Sequence, residues 1–128
     1  MNDAGEKRQL PRWLCNRNFS ATVLIDGHQY DMRPINFNHL GIGLFCGERL
    51  PQASHCMLTL SYHSDTIHIQ SADIPAEIMY THETEVGSDY GMRFDLANIA
   101  AQLQADLLTV EQELAQRQSG GDRYGVFG

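Results

Sequence analysis

Apolar and polar residues alternate in short stretches along most of the chain. A period of two, in segments rich in β-branched and aromatic residues, is typical of strands that bury one face. The pattern predicts up to seven strands, namely Ser20–Ile25, Gln29–Ile35, Leu40–Cys46, Cys56–Tyr62, Thr66–Gln70, Ile74–His82 and Tyr90–Leu96. Short strands with a turn roughly every 8–12 residues indicate an antiparallel barrel or sandwich. We expect a mainly β fold, a small antiparallel β-barrel of six to seven strands.

The connections between the predicted strands carry signals of their own. Asp26-Gly27 is a strong hairpin signal, and His63-Ser64-Asp65 is expected to form a second turn. The glycines within Leu40–Cys46 indicate a bulge or a close approach of two backbones. In the strand that begins at Ile74, the alternation places four residues on one face: Ile74, Ala76, Ile78 and Tyr80.

The last part of the chain changes period. From Ala97 to Gln118 the sequence has neither proline nor glycine, and good helix formers dominate. Apolar residues recur there at steps of three and four, at Ile99, Leu103, Leu107, Val110 and Leu114. This stripe predicts a helix over 97–118, followed by a disordered tail over 119–128. The helix either packs against its own barrel or joins two chains as a short coiled coil, so the protein is a monomer or a helix-mediated dimer.

Length and composition indicate one folded domain. The chain has 128 residues, of which 42% are hydrophobic and 20% charged, which is ordinary for a globular protein with its own core. No apolar run approaches the roughly 20 residues that cross a bilayer, and residues 1–6 lack the apolar region of a signal peptide. We therefore expect a cytoplasmic protein without membrane insertion, whose irregularly spaced Cys15, Cys46 and Cys56 are reduced thiols.

The basic residues are concentrated at one end of an acidic chain. The formal net charge is −7, which argues against binding to a DNA or RNA polymer. Yet four of the nine basic residues lie within the first 17: Lys7, Arg8, Arg12 and Arg17. A local cationic patch on an acidic protein suits a small anionic ligand. Residues 1–18 are thus expected to be a flexible segment that carries the arginines ahead of the barrel and helix of residues 19–118.

Motifs of catalysis and metal binding are missing from the sequence. It contains no G-x-S-x-G, H-E-x-x-H or phosphate-binding loop. The histidines and cysteines form no C-x-x-C or H-x-x-x-H pair, and His68 alternates along a predicted strand. We expect no enzyme activity, no metal site and no cofactor.

Two short polar motifs are candidates for ligand binding. Arg8 and Arg12 flank Pro11, which favours extended backbone, and a guanidinium binds phosphate or the O6 and N7 atoms of guanine with two hydrogen bonds. Asn36-Phe37-Asn38-His39-Leu40-Gly41 offers two amides on one face of an extended segment and a glycine that permits a positive φ or a close backbone approach. Alone, the first motif also fits a solvated basic tail, and the second a polar turn between strands.

Together, in this order, the two motifs resemble the PilZ domain. That family has R-x-x-x-R in an N-terminal segment, then [D/N]-x-S-x-x-G between the second and third strands of a small β-barrel. Gly41-Ile42-Gly43-Leu44-Phe45 and Tyr90-Gly91-Met92-Arg93-Phe94 are similar to later parts of the pattern. The resemblance covers roughly residues 7–118 and implies a C-terminal helix that closes the barrel.

The resemblance implies a function and a set of binding residues. PilZ domains are bacterial receptors for the second messenger cyclic di-GMP. Arg8 and Arg12 would form the arginine clamp, Asn36 would read a guanine, Asn38 stands where the family usually has serine, and Gly41 is the turn glycine. Such a receptor acts on a downstream partner protein that controls motility, pili or exopolysaccharide and biofilm. The alternative is an interaction module independent of the nucleotide, as in some type IV pilus members.

Overall fold

Seven strands and a C-terminal helix make up the fold. The computed structural model describes the backbone of residues 10–125 and the side chains of residues 10–118, so Arg8 lies outside the described residues. The strands are β1 Trp13–Leu14, β2 Phe19–Ile25, β3 His28–Asn38, β4 Gly41–Cys46, β5 His55–His63, β6 His68–Glu83 and β7 Ser88–Phe94. A 3-10 turn at Leu96–Asn98 precedes helix α1, Ala101–Gly125.

Six of the strands close into an antiparallel barrel. The neighbours run in the order β3, β2, β5, β6, β7 and β4, and the pairing of β3 with β4 completes the ring. The short β1 lies outside this ring, hydrogen-bonded to the free part of β3. The predicted fold class, a small β-barrel with a C-terminal helix packed against it, is confirmed.

The barrel encloses a core that the alternation of apolar residues had indicated. In β2, Phe19, Ala21, Val23 and Ile25 are all buried, whereas Ser20 and Leu24 between them are exposed. Aromatic rings from neighbouring strands meet inside, and the ring centroids of Phe19 and Tyr62 are 4.9 Å apart. Asp26 and Gly27 both have positive φ, which is the backbone geometry of the tight hairpin predicted between β2 and β3.

Two stretches differ from the predicted strands. Thr66–Gln70 and Ile74–His82 belong largely to one long strand, β6, which stays paired with β5 on both sides of an irregularity between Leu58 and Leu60. Part of the segment 1–18, expected to be a flexible lead-in, is also a strand. Trp13 and Leu14 of β1 pair with Phe37 and Asn36 of β3, because β3 continues past the end predicted at Ile35 and offers a free edge.

Bulges reverse the direction of two side chains. The register shifts by one residue between Pro34 and Asn36 in β3, and again between Ile78 and Tyr80 in β6. An extra residue in one strand turns the following side chain to the opposite face. The predicted common face of Ile74, Ala76, Ile78 and Tyr80 is therefore wrong at its last member, since Tyr80 lies outside the barrel while Ile74 and Ala76 are buried.

Helix α1 packs on its own barrel. Ile99, Leu107, Val110 and Leu114 of the predicted stripe are buried in the same core as the strands. The helix begins four residues later than predicted, because Ile99 is extended and buried there. Its backbone continues through Gly125, beyond the predicted end at Ser119-Gly120-Gly121, since glycine weakens a helix by only about 1 kcal/mol and does not block it as proline does. Within residues 10–125, no helix is long and apolar enough to traverse a bilayer.

Polar contacts fix α1 to the barrel and to the outer strand. Glu111 Oε1 accepts hydrogen bonds from the backbone N–H of His39 and from its Nδ1, each at 2.7 Å. Glu113 binds Tyr62 and Thr66 at the hairpin between β5 and β6. The amide of Gln118 pairs with the backbone of Leu14, donating to its carbonyl at 2.7 Å and accepting from its N–H at 3.0 Å. The end of the helix thereby holds the segment that carries Arg12.

Candidate functional site

A shallow trough on the outer wall of the barrel crosses four strands. Residues paired across β3, β4, β7 and β6 form the row Asn36, Gly43, Gly91 and Tyr80. The two central glycines have no side chains, and the amide of Asn36 lies close over Gly43 while the ring of Tyr80 lies over Gly91. A row of this kind offers a planar ligand a polar amide at one end and an aromatic ring at the other.

Both walls of the trough depend on the bulges. If β3 and β6 alternated without a break, Asn36 and Tyr80 would point into the core, and the bulge before each of them turns its side chain outward. The glycines are equally necessary. A Cβ atom at Gly43 would lie 2.5 Å from Asn36 Oδ1, and one at Gly91 would overlap the ring of Tyr80. The side chains of Asn36 and Tyr80 can therefore lie against the sheet only because glycine stands at both positions.

The trough encloses a volume of about 410 Å³. Its lining adds polar groups from the next row of the sheet, where Asp89 of β7 is paired with His82 of β6. The full lining comprises Ile35, Asn36, Gly43, Leu44, Tyr80, His82, Asp89 and Tyr90. A volume of this order matches the lower range of small-molecule sites, which hold ligands of drug or nucleotide size.

Arg12 reaches the trough from the N-terminal segment. Its Nη1 donates to Asn36 Oδ1 at 3.3 Å, so the first motif and the second meet in space. The side chain is half-buried, and its Nη2 lies beside Gly41, 2.8 Å from where a Cβ atom would stand. The expected proximity of Arg12, Asn36 and Gly41 is thus what the structure has, whereas Arg8 lies outside the described residues.

Asn38 holds the turn and the arginine segment together. Its Oδ1 accepts from the backbone N–H groups of Leu40 at 2.8 Å and Gly41 at 3.0 Å. Its Nδ2 donates to the carbonyls of Pro11 at 3.2 Å and Leu10 at 3.5 Å. The side chain is only 2% exposed. Asn38 lies on the same face as Asn36 and has the turn geometry considered for it, with its hydrogen bonds going to the chain's own backbone. Its role in ligand binding stays a prediction.

Gly41 allows a close approach of strands. Its φ is not positive; a Cβ atom there would instead overlap the backbone carbonyl of Met92 on β7. Of the two roles predicted for this glycine, a positive φ and a close backbone approach, the structure therefore shows the close approach. The same absence of a side chain leaves room for the guanidinium of Arg12.

The electrostatic surroundings of the site are basic near β1 and β3. Beside Arg12 lies the thiol of Cys15, whose pKa burial raises to about 12 although the arginine charge opposes the shift. The guanidinium of Arg33 stacks on the ring of Phe45, 5.4 Å from its centroid. In the part of the chain that the structure describes, no three metal-binding side chains come together.

Several residues of the trough were absent from the predicted site. Gly43 and Gly91 had a signal, because a glycine inside a strand often marks a place where a ligand approaches the backbone. Tyr80, His82 and Asp89 had none, since the bulge that turns Tyr80 outward leaves no trace in the alternation of residues.

Comparison with known proteins agrees with this architecture. No family model and no curated protein matches the sequence. Among solved structures, the PilZ domain of YcgR from Escherichia coli with c-di-GMP superposes with a TM-score of 0.67 at 15% identity, over 91% of this chain and 98% of that one. The fold is that of a PilZ domain.

Other PilZ-like structures show the same correspondence. The Bacillus subtilis inhibitor of motility, MotI/DgrA, has a TM-score of 0.68 at 14% identity over 88% of this chain, which spans only 53% of MotI/DgrA. PlzA of Borreliella burgdorferi in complex with c-di-GMP has a TM-score of 0.51 at 13% identity, over 80% of this chain and 40% of that one. Likeness at this level of identity concerns the fold. The expected resemblance to PilZ domains is confirmed in that sense.

Proposed function

We propose that this chain is a bacterial, cytoplasmic receptor for cyclic di-GMP that switches a downstream partner protein in motility, pilus or exopolysaccharide control. The observation that carries the proposal is the contact of Arg12 with Asn36 at the mouth of a glycine-floored trough. Two motifs that are distant in sequence thereby share one site, on a fold whose solved examples include c-di-GMP complexes. The proposed role is recognition of a ligand, without a chemical step.

Each residue of the two motifs has a place in this proposal. Arg12, with Arg8 four positions before it, pairs with the phosphates and the Hoogsteen edge of guanine, as planar guanidinium groups do. Asn36 exchanges its long hydrogen bond with Arg12 for one with the ligand. Asn38 keeps the arginine segment close to the barrel, and Gly41 leaves room for the guanidinium.

The switch follows from how the arginine segment is attached. Residues 10–14 are held by two carbonyl bonds to Asn38, by the β1–β3 pairing and by Gln118. A dianionic ligand that pairs with Arg12 adds a further attachment and fixes the segment more firmly over the trough. The partner then recognises the surface formed by the segment and the ligand together.

Titration calorimetry with cyclic di-GMP tests the proposal. We expect saturable binding, and the absence of heat at ~100 μM ligand, which corresponds to about −5.5 kcal/mol, would contradict it. Arg12→Ala is expected to weaken binding by about 1–3 kcal/mol, the range of a bidentate arginine contact. Arg17→Ala is the matched control, because it removes the same charge from an exposed position in the same segment and should leave the affinity unchanged.

One observation favours a second function, an interaction module independent of the nucleotide. Asn38 is buried and already makes hydrogen bonds to four backbone groups of the chain itself. A protein that has abandoned the ligand would keep such contacts for stability alone. Its complex with a partner would form equally with and without cyclic di-GMP, which light scattering of the partner complex under both conditions measures.

A further inference from the structure

The wall of the trough opposite Arg12 carries an aromatic ring next to a carboxylate. Tyr80 is 48% exposed and lies over Gly91. Asp89 is two positions before Gly91 on β7 and therefore shares its outward face. Both Tyr80 and Asp89 line the cavity of about 410 Å³.

Asp89 is the one carboxylate of this lining, and among residues 10–118 it forms no ion pair with an arginine. The neighbouring acids on the outer wall are paired, Glu77 with Arg93 and Glu83 with Arg49, each at 2.7 Å. The nearest partner of Asp89 is the imidazole of His82, whose Nδ1 is 3.8 Å from Asp89 Oδ2. At that distance the carboxylate keeps its capacity to accept hydrogen bonds from a ligand.

The ring of Tyr80 and the carboxylate of Asp89 together complement guanine at the edge that carries N1 and the 2-amino group. Guanine presents two adjacent donors, N1–H and the 2-amino group, which a carboxylate accepts side by side. Adenine presents the lone pair of N1 at the same place and would be repelled. An exposed tyrosine ring supplies a stacking face for either purine, and such stacking contributes about 1–3 kcal/mol without choosing between bases.

The geometry points to Asp89 as the residue that selects guanine, with Tyr80 as the surface on which the base stacks. This inference rests on the proposed function and names the specificity of the same site. Asn36 complements this edge less well, because its amide has one acceptor oxygen whereas the edge presents two donors. Two strand spacings, roughly 10 Å, separate β7 from β3, so Asp89 and Arg12 meet different parts of the ligand.

The test compares ligands that differ only at the base edge. Cyclic di-GMP, its inosine analogue without the 2-amino group and cyclic di-AMP are titrated into the unaltered protein, Asp89→Asn and Asp65→Asn. The last variant removes the same charge at the turn between β5 and β6, away from the trough. Each titration gives the affinity for one ligand. The ratio of the affinities for two ligands measures how strongly the protein recognises the base edge at which they differ.

The unaltered protein and Asp65→Asn are expected to prefer cyclic di-GMP over the inosine analogue by about tenfold or more, the scale of a hydrogen bond to a charged group. Asp89→Asn should reduce that preference to below about threefold and admit cyclic di-AMP, because the lost hydrogen bond to a charged group is what separates the ligands. Tyr80→Ala should weaken all purine ligands alike and leave their ratios unchanged.

Two outcomes would separate a failure of the role of Asp89 from a failure of the receptor function. An unchanged ratio in Asp89→Asn, together with tight binding by the unaltered protein, overturns the role of Asp89 and leaves the receptor function standing. No binding of any of the three ligands by the unaltered protein overturns the receptor function and the inference with it. Thermal melting of each variant verifies that the compared proteins are folded.

Discussion

Asn38 shows how a single residue connects the two halves of the site. One amide satisfies two N–H groups of the β3–β4 turn and two carbonyls of the arginine segment. A serine, which the resemblance to PilZ domains leads us to expect at this position, has a shorter side chain and one hydroxyl hydrogen to donate. Asparagine binds the N–H groups of the turn and also reaches the carbonyls of Leu10 and Pro11.

Asn38→Ala is expected to lower the free energy of unfolding by about 1–3 kcal/mol, because buried backbone groups lose their partners. Ligand affinity should fall as well, since Arg12 is no longer held near Asn36. Urea denaturation and calorimetry measure the two effects. Asn98→Ala serves as control, as Asn98 is exposed and its side chain bonds to Asp95 in the turn before α1. Equal stability of the two variants would contradict the structural role of Asn38.

Gly41 and Gly47 offer a direct comparison of two glycines at the ends of β4. A Cβ atom at Gly41 would overlap the Met92 carbonyl, which belongs to the backbone of a paired strand and has little freedom to move. Nothing lies within 4 Å of a Cβ atom at Gly47. Gly41→Ala should therefore destabilise the fold by about 1–3 kcal/mol, the usual cost of overpacking. Gly47→Ala should change stability by less than about 0.5 kcal/mol, which denaturant titration of both variants checks.

At the scale of elements, the docking of α1 depends on Glu113. Burial alone would raise its pKa, but hydrogen bonds from Thr66, Tyr62 and Ser64 and the charge of Arg117 outweigh burial and lower it below 4.5. The Tyr62 hydroxyl that it binds has a pKa raised by burial and by this hydrogen bond. The carboxylate is thus the form that anchors the helix.

A lowered pKa of Glu113 in the folded state gives stability that is present above pH 4.5 and is lost as the pH falls through the folded value. We expect Glu113→Gln to be less stable than the unaltered protein at pH 7 and to lose less stability between about pH 5 and pH 3, the range in which a carboxylate with a lowered pKa titrates. Denaturant titrations across this range measure the slope. Gln112→Ala, on the exposed side of the same helical turn, is the control and should keep the slope of the unaltered protein.

The elements also show where the sequence is informative. Strands such as β2 and β5 were predicted within two residues, because their one-sided burial requires a period of two in the sequence. The bulges before Asn36 and Tyr80 were not predictable, since an extra residue is specified by pairing between strands that are distant in sequence. Arg12, Asn36 and Gly41 were predicted to share a site, and the aromatic and acidic wall was missed for this reason.

For the molecule as a whole, the thiols of Cys56, which is buried, and Cys15, which is half-buried beside Arg12, report on whether the fold is intact. Burial raises the pKa of Cys56 to about 11 and that of Cys15 to about 12. In the unfolded chain both thiols lose their protons near pH 9, which lowers the free energy of the unfolded state at alkaline pH. The folded state gains no such stabilisation until the pH reaches the raised pKa values. Stability should therefore fall as the pH rises from about 9 toward 11, and the double variant Cys15→Ala, Cys56→Ala should show a smaller fall in denaturant titrations.

Thiol reactivity gives a second measurement of the same property. The thiolate is the reactive form, so Cys15 and Cys56 of the folded protein should react slowly with a disulfide reagent at about pH 8 and rapidly once urea unfolds the chain. Equal rates in the two states would show that the thiols are not protected by the fold. The measurement also tests the expectation that these cysteines are free thiols, as all three are in this structure.

The two hydrogen bonds between Gln118 and the backbone of Leu14 determine which substitutions the fold tolerates at these two positions. Because Gln118 contacts only backbone atoms of residue 14 through these two bonds, that position is free to accept almost any side chain other than proline. Position 118 is not free, since glutamine alone combines a donor and an acceptor at this reach. In a library that randomises both positions and is sorted for correct folding, we expect many residues to survive at 14 and glutamine to dominate at 118. An alignment of the surviving sequences would then show the requirement for glutamine at position 118 but not its contact with residue 14.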